Sequence, residues 1–400
     1  MTIQKISFDD VIMLNRVTLR GVGILKFPGF KKSSSKIIQG FLIALMMANA
    51  LYLMISMSYV LIFSNHEMTT LLSTMAPLMS ITSGSSRYLL AVYNKVLIER
   101  ILEVNKQVWN CATKQQDYET LKNYGLRARA LTAMLFGSAS LTVVFFLATP
   151  ILAITNEPMD FYSNSTGNFA LRRALPLPSP FETFSSPYYE LAYVAQGIAT
   201  CYLGVAVSTV DALSTVLVIH GCAQFKLLNN RLLGIVRQDL QSASNYYGHD
   251  QRARFFKTSF RFHRSILEYC YTLEAVVSIS NLISVLTCMC AISFCAVNIV
   301  RGGADLLKFL GLFMVFIMQM LFVCWPADYL SSESTNIAFA FYNCSWYNYE
   351  KSIGSSIQIA IARSQNPVAL TAGKFVIMSL ETFTSILSSA MSFFAVLKSI

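Results

Sequence analysis

Residues 375–400 read FVIMSLETFTSILSSAMSFFAVLKSI, an apolar stretch that carries a single line of polar side chains. The line recurs at steps of three and four residues, which is the repeat of one helix face. Its members are Thr382, Ser385, Ser389, Ser392 and Ser399. The remaining faces carry bulky apolar side chains such as Phe383 and Leu397. The sequence therefore predicts a terminal helix that suits a membrane and has one hydroxyl-bearing side.

The hydroxyl-bearing side has two interpretations that the terminal stretch alone leaves open. The wall of an ion pore needs polar groups that replace part of an ion's hydration shell. Small hydroxyl residues also let neighbouring membrane helices pack closely and bond to one another. Glu381 and Lys398 are the two charged residues of this helix. Each of them either faces the pore or points away from it.

The composition excludes most soluble and catalytic classes. The chain has 400 residues, of which 54% are hydrophobic and 13% charged, whereas a soluble domain is nearer a quarter charged. Its nine cysteines lack paired CxxC spacing, so they predict neither a metal site nor a disulfide scaffold. Its four histidines are scattered and belong to no catalytic motif. We therefore expect no enzyme activity, cofactor or metal.

Seven stretches are long and apolar enough to cross a bilayer, which takes about 20 residues. They are residues 37–63, 68–86, 130–156, 191–210, 275–300, 309–327 and the terminal stretch. These stretches predict an all-α membrane protein with seven transmembrane helices. An odd number of spans puts the two termini on opposite sides.

The distribution of Lys and Arg predicts the orientation. Basic residues crowd the segments before span 1, after span 2 and after span 4, and they are few after spans 1, 3 and 5. Because basic loops remain in the cytoplasm, we expect a cytoplasmic N-terminus and an extracellular C-terminus. The net charge of +10 therefore reflects topology and does not indicate a nucleic-acid partner. Asn164, in an Asn-Ser-Thr glycosylation motif, falls in a loop assigned to the outside.

The helical patterns extend beyond the membrane and divide the chain into six regions. Residues 96–108 and 225–240 continue a helical repeat, which predicts either solvated helix extensions or a packed cytoplasmic assembly domain. Residues 346–361 are expected to form a separate short helix below the membrane. The regions are a cytoplasmic N-terminal segment (1–36), spans 1–4 with an outer ligand cavity (37–220), a cytoplasmic helical loop (221–265), spans 5 and 6 (266–328), an anchor segment (329–366) and a pore-lining terminal span (367–400).

The outer halves of the spans are rich in aromatic and sulfur-containing residues with isolated hydroxyls and amides. Such a mixture suits an apolar small-molecule site with few polar contacts, and it equally suits ordinary packing between helices. The candidate ligand-binding residues are Met75, Met79, Ser80, Thr142, Phe145, Phe146, Thr149, Tyr193, Gln196, Thr200, Cys288, Phe309 and Phe313.

Besides the two charges of the terminal helix, two charged residues lie at the inner ends of predicted spans, where charge is costly and marks candidate functional positions. Arg87, near the cytoplasmic end of span 2, either extends toward the interface or pairs with Asp211 of span 4. Asp211 is then either structural or part of an ion path.

The last third of the chain resembles the C-terminal signature of insect odorant receptors. The segments that carry this resemblance are FYNCSWY at 341–347, PVALTAGKF at 367–375, SLETF at 379–383 and SFF at 392–394. Asp211 with His220 and Gln224 is similar to the exit of that family's fourth span, and His263 with Glu268 to the entry of its fifth. The chain length, the number of spans and the inverted orientation agree with that family over the whole chain.

The resemblance implies a tetrameric, odorant-gated cation channel whose terminal spans line a central pore. Val396 and Ile400 match the family's hydrophobic gate, and Ser399 matches its polar ring, whereas Lys398 stands where an apolar residue is usual. The short second cytoplasmic loop implies a ligand-tuning subunit that assembles with the family's co-receptor. Its other implied partners are a small volatile ligand, cations and membrane lipid, in the plasma membrane of a sensory neuron dendrite.

Three alternatives differ in class. A homomeric gustatory-type channel would end in a TYxxxxxQF-like motif, and the stretch from Ser392 lacks its Gln-Phe. A seven-span metabotropic receptor requires an extracellular N-terminus. A secondary transporter would show two similar halves with broken helices, and no such repeat occurs.

Overall fold

The computed structural model describes residues 6–63, 68–156, 161–163, 169–171, 188–241, 249–302, 306–344 and 346–399, and its fold is nearly all-helical. The helices are α1 (Phe8–Val11), α2 (Met13–Gly21), α3 (Lys32–Phe63), α4 (Met68–Tyr93), α5 (Lys95–Asn110), α6 (Gln115–Asn156), α7 (Tyr188–Gln241), α8 (His249–Arg301), α9 (Leu306–Tyr342), α10 (Lys351–Ser364) and α11 (Leu380–Ser399). Two antiparallel hairpins pair β1 (Phe161–Ser163) with β2 (Phe169–Leu171) and β3 (Thr371–Ala372) with β4 (Val376–Ile377). A 3₁₀ turn covers Trp346–Asn348.

The helices confirm the predicted class of membrane fold. Six of the described helices, α3, α6, α7, α8, α9 and α11, are long and apolar enough to cross a membrane. The remaining predicted span is α4, a helix of 26 residues that is rich in Ser and Thr and contains Arg87. Its length still exceeds the requirement of about 20 residues for a crossing. The orientation of the termini stays a prediction.

Several predicted spans are the middle portions of much longer helices. Helix α7 has 54 residues and α8 has 53, so both continue without a break well beyond the predicted spans. On α7 the side chains of Phe225, Leu228 and Leu232 are fully buried. This face of α7 is therefore packed in the protein interior rather than solvated.

The terminal helix begins later than the sequence predicts. Residues 371–377 form the β3–β4 hairpin, whose turn includes Gly373 (φ 60°) and Lys374 (φ 67°) in the left-handed region. Left-handed φ at two successive residues cannot continue a right-handed helix. The predicted terminal stretch therefore starts as a strand, and α11 begins only after Ser379, whose Oγ accepts the backbone N–H of Thr382 at 3.1 Å.

Helix α11 packs on the bundle along one side. Ile386 and Ala390 are buried, and the Ser293 hydroxyl on α8 donates to the Ala390 carbonyl at 2.8 Å. Most of the remaining surface of α11 is exposed. This exposed side can face a partner subunit, lipid or water.

Candidate functional site

A cavity of about 120 Å³ lies inside the helical bundle, between α3, α4, α6, α7 and α9. For comparison, an apolar protein cavity of about 150 Å³ holds benzene. The lining is mainly aliphatic and aromatic, and its apolar members include Leu53, Ile81, Leu135, Val143, Phe146, Leu203, Val207, Leu312, Val315 and Phe316. The space therefore suits a small, largely apolar molecule.

Four of the predicted ligand residues line this cavity: Ser80, Thr142, Phe146 and Thr200. The Thr149 side chain lies outside the described part of the structure. The other eight predicted residues are absent from the lining, and they are Met75, Met79, Phe145, Tyr193, Gln196, Cys288, Phe309 and Phe313.

The predicted residues outside the cavity lining contribute to packing between helices. Gln196, Cys288 and Phe309 are fully buried, and the Tyr193 hydroxyl donates to the Leu147 carbonyl at 2.7 Å. Along α7 the cavity is lined from Thr200 onward, so the earlier candidates Tyr193 and Gln196 lie beyond its end. Aromatic and hydroxyl residues occur along the full length of these helices, so composition alone did not give the depth of the cavity.

One end of the cavity is polar and contains Arg87 and Asp211. Arg87 Nη1 donates to Asp211 Oδ1 in a buried ion pair, in which the Arg87 side chain is only 3% exposed. Arg87 therefore does not extend toward the interface, and the alternative of pairing with Asp211 is the one observed. Gln319 completes this polar end: with its amide oriented so that the oxygen faces Arg87, that oxygen accepts from Nη1 at 2.6 Å and from Nη2 at 2.9 Å. Sequence analysis had identified both charged residues but not Gln319.

Three hydroxyls of the cavity wall are already engaged with backbone carbonyls. Thr142 Oγ1 donates to Ser138 at 3.0 Å or Gly311 at 3.1 Å, and Ser138 Oγ donates to Leu135 at 2.9 Å. Thr200 Oγ1 donates to Gln196 at 2.8 Å. A hydroxyl has a single hydrogen, so these groups have only lone pairs left to offer a ligand.

The predicted pore residues on α11 divide by exposure. Ser385 and Ser392 are exposed, whereas Ser389 and Thr382 are half-buried. Thr382 Oγ1 donates to the Ile377 carbonyl at 2.6 Å, so this hydroxyl also bonds at the start of the helix. Val396 is 59% exposed, and Glu381 and Lys398 are exposed as well. The Ser399 side chain, Ile400 and the glycosylation candidate Asn164 lie outside the described residues.

A bundle of membrane-length helices around a small apolar cavity is the architecture of a multi-span membrane protein. Residues 67–391 match the family described as 7tm Odorant receptor. This match covers most of the chain, and the chain belongs to that family, whose members are receptors and channels rather than enzymes.

Individual relatives agree with this assignment. The chain is 24% identical over 321 residues to Odorant receptor 10 of Aedes albopictus, covering 78% of this chain and 80% of that protein. It is 28% identical over 243 residues to Odorant receptor 13a of Drosophila melanogaster, covering 55% of this chain and 56% of the relative.

The fold is similar to solved olfactory receptor structures. The olfactory receptor OR5 of Machilis hrabei superposes with a TM-score of 0.80 at 17% identity, covering 97% of this chain and 99% of that one. The same receptor in complex with eugenol gives a TM-score of 0.79 at 15% identity, covering 98% and 97% of the two chains. At these identities the likeness concerns the fold.

Proposed function

We propose that this chain is the odorant-binding subunit of a heteromeric, ligand-gated, non-selective cation channel. A small volatile molecule binds in the cavity between α4, α6, α7 and α9 and is held mainly by apolar contact. The bound state favours an arrangement of α11 that admits cations, and a ligand shifts this equilibrium only by binding the open state more tightly than the closed one. The family's co-receptor supplies the other subunits, in the plasma membrane of a sensory neuron dendrite.

The observation that carries the proposal is the division of α11 into two sides. Its Ile386 and Ala390 side packs on the bundle, and Ser385 and Ser392 point away from it. An exposed, hydroxyl-bearing side suits the wall of a water-filled path shared between subunits. Val396, also exposed, stands at the position of the proposed hydrophobic gate.

The ligand part of the proposal is supported by the cavity and by one relative. The cavity accepts a molecule of a few heavy atoms, and the similarly folded receptor of Machilis hrabei has been solved with eugenol. The predicted residues Ser80, Thr142, Phe146 and Thr200 are the proposed contacts among those chosen from sequence.

The test is to record currents from cells that express this chain alone, the co-receptor alone, or both, across a panel of volatile molecules. We expect ligand-evoked cation current only when both are present and the ligand matches the cavity. Current from this chain without its partner would refute the proposed tuning role. Tagging each terminus and staining unpermeabilised cells tests the orientation, because a metabotropic receptor would expose its N-terminus.

A further inference from the structure

We propose that Arg87 selects neutral ligands that carry a hydrogen-bond-accepting oxygen, such as ketones, aldehydes and esters, over hydrocarbons of the same shape. This inference rests on the proposed function, because it assigns a ligand class to the same cavity. It is carried by the geometry of the polar end, where Arg87, Asp211 and Gln319 meet.

The first step is the donor inventory of the Arg87 guanidinium. Nη1 is engaged by Asp211, and both terminal nitrogens donate to the Gln319 amide oxygen. Nε has no hydrogen-bond partner within the described residues, but it is fully buried and exposes no surface to the cavity. Nη2 carries two hydrogens, and Gln319 accounts for one of them. Because Arg87 lines the cavity, the second Nη2 hydrogen is the donor that a ligand oxygen would use.

The second step concerns the other donors around the cavity. The hydroxyls of Ser138, Thr142 and Thr200 already donate to backbone carbonyls. They can accept a hydrogen bond from a ligand but cannot donate one without breaking their own. Further serine hydroxyls line the wall, and Arg87 is the charged donor among the lining residues, so its hydrogen bond to a ligand oxygen is the strongest that the wall offers.

The third step concerns the charge of the ligand. The Arg87–Asp211 ion pair is neutral as a unit, because each formal charge is matched by the other. A carboxylate ligand would bring a further negative charge beside Asp211 into an apolar cavity, where an unmatched charge is costly. A neutral carbonyl oxygen accepts the same hydrogen bond without this penalty. The arrangement thus favours carbonyl compounds over both hydrocarbons and acids.

The experiment compares isosteric volatile pairs on the complex of this chain with the co-receptor. The probes are 2-hexanone against 2-methyl-1-hexene and benzaldehyde against styrene, in which C=O replaces C=CH₂, with benzoate as the anionic probe. We expect each carbonyl compound to act at a concentration about tenfold to a hundredfold lower than its hydrocarbon partner, the range of a hydrogen bond to a charged group. Benzoate should be the weakest of the aromatic probes.

The matched variants separate the hydrogen bond from cavity shape. The double variant Arg87→Met/Asp211→Leu removes both charges together, so it leaves no unpaired buried charge. It should abolish the preference for the carbonyl member of each pair while keeping the response to the hydrocarbon. Val143→Ile, a change in the apolar wall, should weaken both members of a pair equally.

The outcomes distinguish this inference from the proposed function. Equal potency of carbonyl and hydrocarbon partners on the wild-type complex would overturn the inference and leave the channel proposal standing. A preference that persists in the double variant would overturn the role of Arg87. The wild-type comparison needs no variant, so it decides even if the double variant fails to reach the surface. If no volatile probe opens a complex that is present at the surface, both proposals fall.

Discussion

Glu274 on α8 binds Thr371 at the start of the hairpin that leads into α11. Glu274 Oε2 accepts the Thr371 backbone N–H at 3.0 Å, and the Thr371 hydroxyl donates to Oε1 of the same carboxylate. Lys374 Nζ lies 2.7 Å from that Oε1, and the Gly373 N–H donates to the Ser278 carbonyl at 2.9 Å. A single buried carboxylate therefore fixes the hairpin, and with it the first turn of α11, to α8.

We predict that Glu274→Ala destabilises the protein and loosens the attachment of α11. The substitution removes the acceptor of a backbone N–H and the partner of Lys374, and such a loss costs about 1–3 kcal/mol. Thermal unfolding of the purified complex measures the effect. Glu268→Ala on the same helix is the matched control, since Glu268 pairs with Arg264 on the surface and an exposed i,i+4 pair contributes at most about 0.5 kcal/mol. Equal effects of the two substitutions would contradict the proposed role of Glu274.

We predict that the two sides of α11 differ in accessibility to water. In a background with the exposed Cys111 and Cys201 replaced by Ser, Ser385→Cys and Ser392→Cys should react with a cationic, water-soluble thiol reagent and lose ligand-evoked current. Ile386→Cys and Ala390→Cys, at buried positions, should be unaffected. Reaction at all four positions, or at the buried pair alone, would argue against a pore along this side.

Val396 tests the hydrophobic gate. A polar side chain stabilises water in a narrow apolar constriction, so Val396→Ser should raise the current that flows without ligand. Met391→Ser is the control, because Met391 is also exposed but lies about 140° around the helix from Val396 at 100° per residue. Basal current is measured before and after a pore-blocking cation. A silent Val396→Ser complex with normal ligand responses would exclude this residue as the gate.

Gly84 allows α4 to approach α7 closely beside the cavity. A Cβ at Gly84 would lie 2.4 Å from Val207 Cγ2, and Val207 lines the cavity. Gly84→Ala should therefore displace Val207, cost about 1–3 kcal/mol by overpacking and shift ligand potency. At Gly137 on α6 an added Cβ meets nothing within 4 Å, so Gly137→Ala should stabilise slightly, by up to about 1 kcal/mol. Melting temperatures of both variants measure the change in stability, and concentration–response curves measure the change in ligand potency.

The Arg87–Asp211 pair should behave as a unit in a double-mutant cycle. Asp211→Leu alone leaves the Arg87 charge buried without its partner, which costs about 3–5 kcal/mol. Arg87→Met/Asp211→Leu should recover most of that loss, because the pair is replaced by apolar groups of similar volume. The coupling free energy between the two charges is obtained from the thermal unfolding of the wild type, the two single variants and the double variant. A double variant less stable than the single one would show that the charges do not act through each other.

The sequence predicted the helices well because their apolar runs and helical repeats are long. Phe225, Leu228 and Leu232 recur on one helix face, and all three are buried as that repeat predicts. The β3–β4 hairpin was missed because its last residues, 375–377, run directly into the apolar terminal stretch. Its turn depends on Lys374 in a left-handed conformation and on distant bonds to α8, neither of which leaves a local pattern.

The cavity was predicted only in part for a related reason. Its wall is set by which of many similar side chains leave a gap between five helices, and Thr142 and Phe145 are near neighbours on one helix although only Thr142 lines it. Charge gave a more informative signal than apolar composition. Arg87 and Asp211, 124 positions apart, were recognised as candidates because ionisable groups within membrane spans require partners.

Helices α7 and α8 each run without a break, so each can move as a rigid rod. Helices of 54 and 53 residues measure about 80 Å at 1.5 Å per residue. If such a rod pivots near its middle, a tilt of about 5° moves its far end by roughly 3.5 Å, which is more than half of one helical turn. Small shifts of the helices around an occupied cavity are therefore amplified at the helix ends. Under the proposed function, the protein then needs no unfolding or domain rotation to transmit the binding of a molecule only a few atoms in size.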